Sequence, residues 1–358
     1  MTADPLIDAL RAHLHQRSVL VTGHTGFKGA WLTLLLQNLG AHVHGLSLDP
    51  EPGSLFELAT LSSLCASDHR SDVRDMVAVT HAIEVSKPDL VLHLAAESLV
   101  RRSYAHPLNT LSTNVMGTAT LLDAVRLHAP ETPVVVVTSD KVYRNDGRQE
   151  PYSEADHLGG HDPYSASKAA CELVVNTYRD GFGLNVASAR AGNVIGGGDV
   201  CEARLIPDAV QAWRQGRPLF CRSPGSTRPW QHVLEPLAAY LDLGVGLMQG
   251  RAELRRGWNI GPVEPAWTVA RVLDEAVTHW PGAQWAAGSA PTGPKEAARL
   301  DLDPAQALSA LTWAPRWNTQ TAIARTLGWS HAQHRGGPAR QLCDADLKDW
   351  LQSAPLPG

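Results

Sequence analysis

The chain has 358 residues, a net charge of −5 and 19% charged residues, which is the composition of a globular protein with one large domain or two unequal ones. The acidic balance argues against nucleic acid as a partner, and no apolar run is long enough to cross a membrane. The segment from Met1 to Arg17 lacks the apolar core of a signal peptide, so the sequence predicts a cytoplasmic protein.

Cysteine and histidine usage gives no sign of a disulfide framework or a metal centre. The five cysteines are scattered without a Cys-x-x-Cys pair. His42 and His44 are close in sequence, but no cluster of carboxylates or thiolates accompanies them. We therefore expect no metal site.

The first recognisable unit is a strand, a glycine loop and a helix. Val19–Thr22 reads as a buried strand, and a helical pattern covers Trp31–Leu39. In a dinucleotide fingerprint, the loop glycines allow a tight turn, a close approach to the pyrophosphate and packing of helix on strand. We expect the pyrophosphate at the helix N-terminus, although a plain surface turn is the alternative. The predicted contacts are Gly23, His24, Thr25, Gly26, Phe27, Lys28 and Gly29, with His24 and Lys28 as additional phosphate contacts.

The next elements supply the rest of the predicted cofactor site. His42–Leu48 reads as the second strand, and Ser47 and Asp49 stand about twenty residues beyond the last glycine, where an acid commonly holds the adenosine ribose and selects NAD over NADP. A loop-exposed Asp49 is the alternative. A short strand before residue 72, a strand over 89–95 and an amphipathic helix over 107–127 follow. Further cofactor contacts expected there are Asp72, Val73, Leu94, Ala95, Ala96 and Asn114.

Reactive side chains follow the fifth strand, Val134–Val137. Ser139, Asp140 and Lys141 come directly after it, whereas Tyr164 and Lys168 lie one turn apart on one face of a predicted helix. Regular alternation of strand and helix predicts an α/β fold with a Rossmann-type, doubly wound parallel sheet, whose ligands bind at the carboxyl ends of the strands. These five side chains are therefore the candidate catalytic set. The alternative for Asp140 and Lys141 is a solvent-facing ion pair.

Beyond a sixth strand over 185–191 the pattern becomes irregular, and a last short strand is expected over 258–262. Arg204, Arg222, Arg228 and Trp230 suit a phosphorylated ligand with an aromatic ring, because guanidinium matches phosphate bidentately. A solvated loop with a core tryptophan fits them equally well. We expect a nucleotide-binding domain over 1–190, with contributions from later segments, and a mainly substrate-binding α/β region over 191–350.

The glycine loop at 23–29 together with Tyr164-x-x-x-Lys168 resembles the extended short-chain dehydrogenase/reductase family. Within that family, longer strings resemble the CDP-glucose 4,6-dehydratase branch. They lie at residues 22–29, 138–141, 159–165, 190–199 and 228–234. Two features depart from the branch: Val200 stands where a tryptophan is expected, and the segment 144–152 is short and polar.

The resemblance implies a tightly bound NAD, a nucleotide-sugar substrate such as CDP-glucose and a dimer formed by paired helices. Tyr164 would take the proton of the sugar 4-hydroxyl, its pKa lowered by Lys168 and the nicotinamide charge, and Ser139 would orient the 4-oxygen. Lys141 is assigned as the base at C5, which requires a neutral amine, and Asp140 as the acid at the 6-hydroxyl. The expected substrate contacts are Ser98, Asn193, Arg204, Leu205, Arg222, Arg228 and Gln231.

Two other functions fit the same fold. A nucleotide-sugar 4-epimerase needs Ser139, Tyr164 and Lys168 but has no use for an acid and a base at 140 and 141. A non-catalytic NAD-sensing regulator typically loses the tyrosine or the lysine, and this chain keeps both.

Overall fold

The computed structural model describes residues 4–288 and 299–356. The strands are β1 (Ser18–Thr22), β2 (His42–Ser47), β3 (Cys65–Arg70), β4 (Leu90–His93), β5 (Val134–Val137), β6 (Val186–Ala191), β7 (Val194–Ile195), β8 (Leu219–Cys221), β9 (Thr227–Arg228), β10 (Gln231–His232), β11 (Gly257–Ile260), β12 (Trp267–Thr268) and β13 (Trp285–Ala287).

The α-helices are α1 (Pro5–Leu14), α2 (Phe27–Asn38), α3 (Leu55–Leu58), α4 (Met76–Ser86), α5 (Val100–Ala105), α6 (Pro107–Leu111), α7 (Gly117–His128), α8 (Pro163–Phe182), α9 (Leu205–Arg214), α10 (Leu234–Met248), α11 (Val269–Thr278), α12 (Ala305–Ala310), α13 (Thr319–His334) and α14 (Ala339–Gln352). A π-helical turn, Ser112–Met116, joins α6 to α7, so the helix predicted over 107–127 is present with one irregular turn.

A seven-stranded parallel sheet in the order β11-β6-β5-β4-β1-β2-β3 forms the centre of the molecule. This confirms the predicted doubly wound sheet. All four residues of β5 are buried, as expected for a strand covered by helices on both faces. The strand order reverses beside β1, where β2 pairs on one side and β4 on the other. A crevice for a ligand opens at such a reversal, outside the carboxyl ends of the strands.

Two apolar clusters cover the faces of the sheet. One joins α1, α2, α10, α13 and α14 to the sheet and includes Trp31, Tyr240, Trp313 and Trp350. The other lies under α4, α7 and α8 and includes Leu121 and Val175. Both clusters exclude water from the sheet and so fix the loops at its carboxyl edge.

Later segments of the chain complete the sheet. β11 pairs in parallel with β6, with Gly257 opposite Ser188 and Ile260 opposite Ala191. α10 packs against β4, β5 and β6. Among the described residues no helix has the length and apolar character needed to cross a bilayer.

Candidate active site

A cleft of about 1390 Å³ opens along the carboxyl ends of the parallel strands. The loops after β1 to β6 line it, together with parts of α5, α8 and α9. The predicted site residues that line it are Gly23, Thr25, Gly26, Phe27, Lys28, Gly29, Ser47, Asp72, Val73, Leu94, Ala95, Ala96, Ser98, Ser139, Asp140, Lys141, Tyr164, Lys168, Asn193, Arg204, Leu205, Arg222 and Arg228. His24, Asn114 and Gln231 are absent from its walls.

The glycine loop has the shape that a dinucleotide requires. Gly23 has φ +76°, and a Cβ there would lie 2.7 Å from the Ala95 nitrogen, so the loop passes close to the end of β4 only because this residue is glycine. A Cβ at Gly29 would overlap the Gly23 carbonyl. Gly26 caps α2 without any side-chain hydrogen bond, which leaves the first N–H groups of the helix for an anion. These residues fit a pyrophosphate.

Thr25 and Ser47 join the glycine loop to the end of β2. Their hydroxyl oxygens are 2.8 Å apart, and Thr25 also donates to the Leu48 carbonyl at 3.1 Å. Asp49 lines the cleft directly beyond. The predicted ribose site is therefore next to the predicted pyrophosphate site.

The expected contact between the His24 ring and phosphate is wrong. The ring is fully buried, its Nε2 lies 2.8 Å from Asp68 Oδ1, and Phe56 packs edge-on against it. Gly45 on β2 makes this possible, because a Cβ at that position would overlap the imidazole. His24 therefore connects the glycine loop to β3 through Asp68. Burial lowers the pKa of its imidazole.

Asn114 and Gln231 also hold the walls of the cleft without lining it. The Asn114 Nδ2 donates to Ser167 Oγ at 2.8 Å and to the Glu97 carbonyl at 3.0 Å, and its Oδ1 accepts the Glu97 N–H at 2.8 Å. The buried Gln231 donates to the Ile260 carbonyl at 3.1 Å. Neither side chain lines the cleft, and both amide nitrogens donate within the protein, whereas the Gln231 Oε1 has no partner among the described residues. Their ligand contacts stay predictions.

Ser139, Asp140 and Lys141 form a compact hydrogen-bonded group after β5. Ser139 Oγ donates to Asp140 Oδ1 at 2.9 Å and accepts the Lys141 N–H at 3.2 Å, which caps a short 3-10 turn over Asp140–Val142. Lys141 Nζ lies 3.4 Å from the same carboxylate oxygen. Asp140 is 1% exposed, and its Oδ2 has no hydrogen-bond partner among the residues that the structure describes. The pair is thus part of the cleft, and the alternative of a solvent-facing ion pair is wrong.

Tyr164 and Lys168 lie on the first turns of α8, which Asp162 caps by accepting the Ser165 N–H. Burial raises the pKa of Tyr164 to about 12, and a hydrogen bond with Ser139 opposes this rise. Burial lowers the pKa of Lys168, whose Nζ donates to the Val137 carbonyl at 3.2 Å. The sequence predicts that Lys168 lowers the pKa of Tyr164. In the protein without ligands this pKa is raised instead, because the effect of burial is larger than that of the contacts that favour the phenolate.

Lys28 is a half-buried lysine that lines the cleft. Its Nζ lies 3.5 Å from the Tyr240 hydroxyl. Burial lowers the pKa of Lys28 to about 7, and the positive charges of Arg204 and Lys168 lower it further. An anion placed beside it would reverse this shift, so Lys28 remains a predicted phosphate contact.

Arg204 connects two walls of the cleft. Its Nη1 lies 3.0 Å from Asp199 Oδ2 and its Nη2 donates to Ser98 Oγ at 3.1 Å. Sequence reasoning missed Asp199 as the partner that orients Arg204, although it ends the glycine-rich string at 190–199. Asn193 lines the same wall, and its buried Oδ1 has no hydrogen-bond partner within the described part of the chain. Arg228 and Arg222 line the far end.

A doubly wound sheet with a glycine loop after β1 and a Ser139–Tyr164–Lys168 set defines the class of extended short-chain dehydrogenases/reductases. Within this class, a family model described as GDP-mannose 4,6 dehydratase matches residues 20–243. The chain belongs to this family.

Relatives of known name are similar over nearly the whole chain. The CDP-glucose 4,6-dehydratase of Salmonella typhimurium is 42% identical over 349 residues, which cover 94% of this chain and 97% of that protein. A dTDP-glucose 4,6-dehydratase of Xanthomonas campestris pv. campestris is 29% identical over 330 residues, covering 87% and 92%. The crystal structure of a dTDP-glucose 4,6-dehydratase from Streptomyces venezuelae with NAD bound is similar with a TM-score of 0.75 and 27% identity, covering 89% of this chain and 98% of that one.

Proposed function

We propose that this protein is a hydro-lyase that converts CDP-D-glucose to CDP-4-keto-6-deoxy-D-glucose and water, with NAD as a catalytic cofactor. One observation carries the proposal: an acid–base pair, Asp140 and Lys141, lies beside Ser139 in the cleft that also holds Tyr164. The relative that is 42% identical over 94% of the chain bears the name of this activity.

The cofactor end of the cleft would hold NAD through main-chain groups. Bound NAD supplies a hydride acceptor for C4 and, later in the turnover, a hydride donor for C6. The free N–H groups of α2 and the loop glycines would bind the pyrophosphate, and Ser47 or Asp49 would bind the adenosine ribose. Lys28 would add a positive charge near the diphosphate.

Oxidation at C4 needs a base for the 4-hydroxyl proton, and Tyr164 would serve. Ser139, which lines the cleft with the phenol, would orient the 4-oxygen toward it. A buried phenol holds its proton tightly, so a positive charge beside it in the loaded enzyme would assist ionisation. Lys168, one helical turn away, would add such a charge, but it does not by itself offset the rise in the Tyr164 pKa that burial causes.

Elimination of water follows because a 4-ketone acidifies the proton at C5. Lys141 would take this proton, and Asp140 would give a proton to the 6-oxygen as the C6–O bond breaks and water leaves. The elimination leaves Lys141 with one more proton and Asp140 with one fewer. As the hydride returns to C6, Lys141, whose Nζ lies 3.4 Å from Asp140 Oδ1, would give its proton to C5. Tyr164 would then release the proton it took from the 4-hydroxyl, and Asp140 would regain one, by way of solvent, which restores all three groups.

Arginines at the far end would hold the nucleoside diphosphate. Arg204, oriented by Asp199, and Arg228 are proposed for the diphosphate, and Ser98, Asn193, Leu205 and Arg222 for the sugar and base. Val200 lines the same wall and is 46% exposed. The identity of the base rests on the relative alone.

The mass of the product tests this function. Protein supplied with NAD and CDP-glucose is expected to give a product lighter by one water without net formation of NADH. A product of unchanged mass would favour a 4-epimerase, and steady NADH formation would favour a simple dehydrogenase. Parallel assays with dTDP-, UDP- and GDP-glucose identify the base.

Lys141→Ala tests the assignment of the C5 base. The variant is expected to lose most solvent-deuterium incorporation at C5, by roughly 100-fold or more, while oxidation at C4 survives. Lys348→Ala removes an exposed lysine on α14 and serves as the matched control. Wild-type exchange in Lys141→Ala would assign the base elsewhere.

We further propose that the protein is a cytoplasmic homodimer that acts in deoxysugar and polysaccharide biosynthesis. Apolar side chains exposed on α6 to α8 support a dimer of paired helices. They are Leu108 (81% exposed), Leu111 (38%), Met116 (56%) and Leu173 (60%). Sedimentation velocity of the wild type and of Leu108→Glu measures whether this face associates.

A further inference from the structure

A buried carboxylate lies one turn beyond Lys168 on α8. Glu172 is fully buried, and its Oε1 accepts the Thr138 hydroxyl at 2.6 Å. Its Oε2 accepts the Ser188 hydroxyl and the Arg190 Nη2, each at 2.7 Å. Burial alone would raise the pKa of Glu172, but Arg190 and these hydrogen bonds lower it, so the group is a carboxylate.

Arg190, the cation that pairs with Glu172, also contacts residues on the side away from α8. Arg190 Nη1 donates to the Tyr143 hydroxyl at 2.9 Å, and Tyr143 donates to Asn259 Oδ1 at 2.6 Å. Asn259 Nδ2 in turn donates to the Tyr152 carbonyl at 2.8 Å. Gly257 gives the guanidinium its space, because a Cβ there would overlap Arg190.

Thr138 and Tyr143 stand on either side of the segment that carries the candidate chemistry. We propose that the Glu172–Arg190 ion pair is a positioning device, which holds Thr138 and Tyr143 and thereby aligns Ser139, Asp140 and Lys141 with Tyr164. This inference rests on the proposed function, since it concerns how the reacting groups are held. Neither member of the pair lines the cleft.

The contacts are strong enough for this task. Hydrogen bonds to a buried charge are shorter and stronger than neutral ones, and the distances of 2.6 to 2.7 Å at Glu172 agree with this. A second hydrogen bond joins α8 to the end of β5, because Lys168 Nζ donates to the Val137 carbonyl, one residue before Thr138. The end of β5 is thus attached to the helix that carries Tyr164 at two successive residues, and small displacements of reacting groups are costly in rate.

Two hydroxyls on the same carboxylate provide a matched test at the Thr138 end. Thr138→Val removes the donor next to Ser139, whereas Ser188→Ala removes the donor on β6. With NAD and CDP-glucose we expect Thr138→Val to lose roughly 10- to 100-fold in kcat with KM little changed, and Ser188→Ala to stay within about twofold. Thr138→Ser keeps the hydroxyl and should restore the rate. Equal losses in the valine and alanine variants, or no rescue by serine, would overturn the proposal.

Tyr143→Phe tests the other end of the segment. It removes the contact with Arg190 beyond Lys141, so elimination should slow, measured as solvent-deuterium incorporation at C5, while oxidation at C4 is retained. If oxidation at C4 and elimination slowed equally, the contact between Tyr143 and Arg190 would not act on Asp140 and Lys141 separately from Ser139, and this part of the proposal would be wrong.

Amide hydrogen exchange of the protein alone gives a readout that does not depend on turnover. Residues 138–143 should exchange faster in Thr138→Val and Tyr143→Phe than in the wild type, and at the wild-type rate in Ser188→Ala. Unchanged exchange in the first two variants overturns the proposal. A wild-type protein that fails to dehydrate any nucleotide sugar refutes the proposed function instead, and leaves this exchange result standing.

Discussion

Tyr164 illustrates how single residues set the conditions for the chemistry. Its phenol is buried, which raises its pKa to about 12, and the hydrogen bond with Ser139 is the largest effect that opposes the rise. The reaction needs the phenolate, so a higher pKa means less of the reactive form at neutral pH. In the proposed reaction Ser139 would therefore have two effects: it would orient the sugar oxygen, and it would favour ionisation of the base.

Ser139→Ala is expected to move the acidic limb of the rate profile to higher pH. Loss of the hydrogen bond removes an effect that lowers the Tyr164 pKa, so ionisation requires a higher pH, in addition to an overall loss of rate. Single-turnover oxidation at C4 measured across pH checks this. A limb at the wild-type position in Ser139→Ala would show that Tyr164 does not titrate in that step.

Sequence alone predicted well which residues stand at strand ends, and less well where their side chains point. Ser139, Tyr164 and Lys168 follow from a buried strand and from helical spacing, and they line the cleft. His24 was predicted to face phosphate, yet its direction depends on the space left by Gly45 and on Asp68. Gly45 and Asp68 lie 21 and 44 residues beyond His24, so the local sequence pattern around His24 does not predict these contacts.

At the scale of elements, the loop Gly196–Gly198 shows how close packing holds the cofactor helix. The Trp31 indole on α2 donates to the Gly197 carbonyl at 2.9 Å. A Cβ at Gly197 would overlap the ring of Trp329 on α13, and one at Gly196 would lie 3.2 Å from Phe27 Cζ. The glycines thus let α2 and α13 approach the same loop. Their string was noticed in the sequence, but its packing role depends on both helices.

Gly197→Ala should destabilise the protein by about 1–3 kcal/mol, because the added methyl group overlaps Trp329 and forces a shift. Gly225→Ala is the matched control, since a Cβ there has no neighbour within 4 Å among the described residues. Denaturant unfolding of both variants measures the difference. Equal stabilities would show that the contact relaxes without cost.

At the scale of the whole molecule, Glu235 ties the C-terminal part of the chain to the sheet. Its Oε1 accepts the Trp317 N–H at 2.9 Å and the Trp350 Nε1 at 2.7 Å, and its Oε2 accepts the Arg316 N–H at 3.0 Å. The Arg316 guanidinium also contacts Asp4 before α1, at 2.6 Å. The buried carboxyl group of Glu235, at the start of α10, thereby brings together α14, the segment before α13 and the N-terminal helix.

Glu235→Gln should lower the free energy of unfolding by about 1–3 kcal/mol, because an amide NH2 replaces one acceptor and faces a buried N–H donor. Glu253→Gln, which changes an exposed surface pair with Arg251, is expected to have no measurable effect. Thermal unfolding compares the two variants. Equal midpoints would show that the Glu235 contacts are rearranged in the variant without loss.

The alternating pattern of strands and helices predicts a parallel, doubly wound sheet, but it does not predict that β11 is a member of that sheet. β11 lies far beyond the segments that form the rest of the sheet, and only its parallel pairing with β6 reveals where it belongs. During synthesis on a ribosome, β6 therefore remains an edge strand with unpaired N–H and C=O groups until residues 257–260 emerge. An open edge of this kind invites pairing with other chains. We therefore expect the nascent protein to be prone to aggregation until β11 is added.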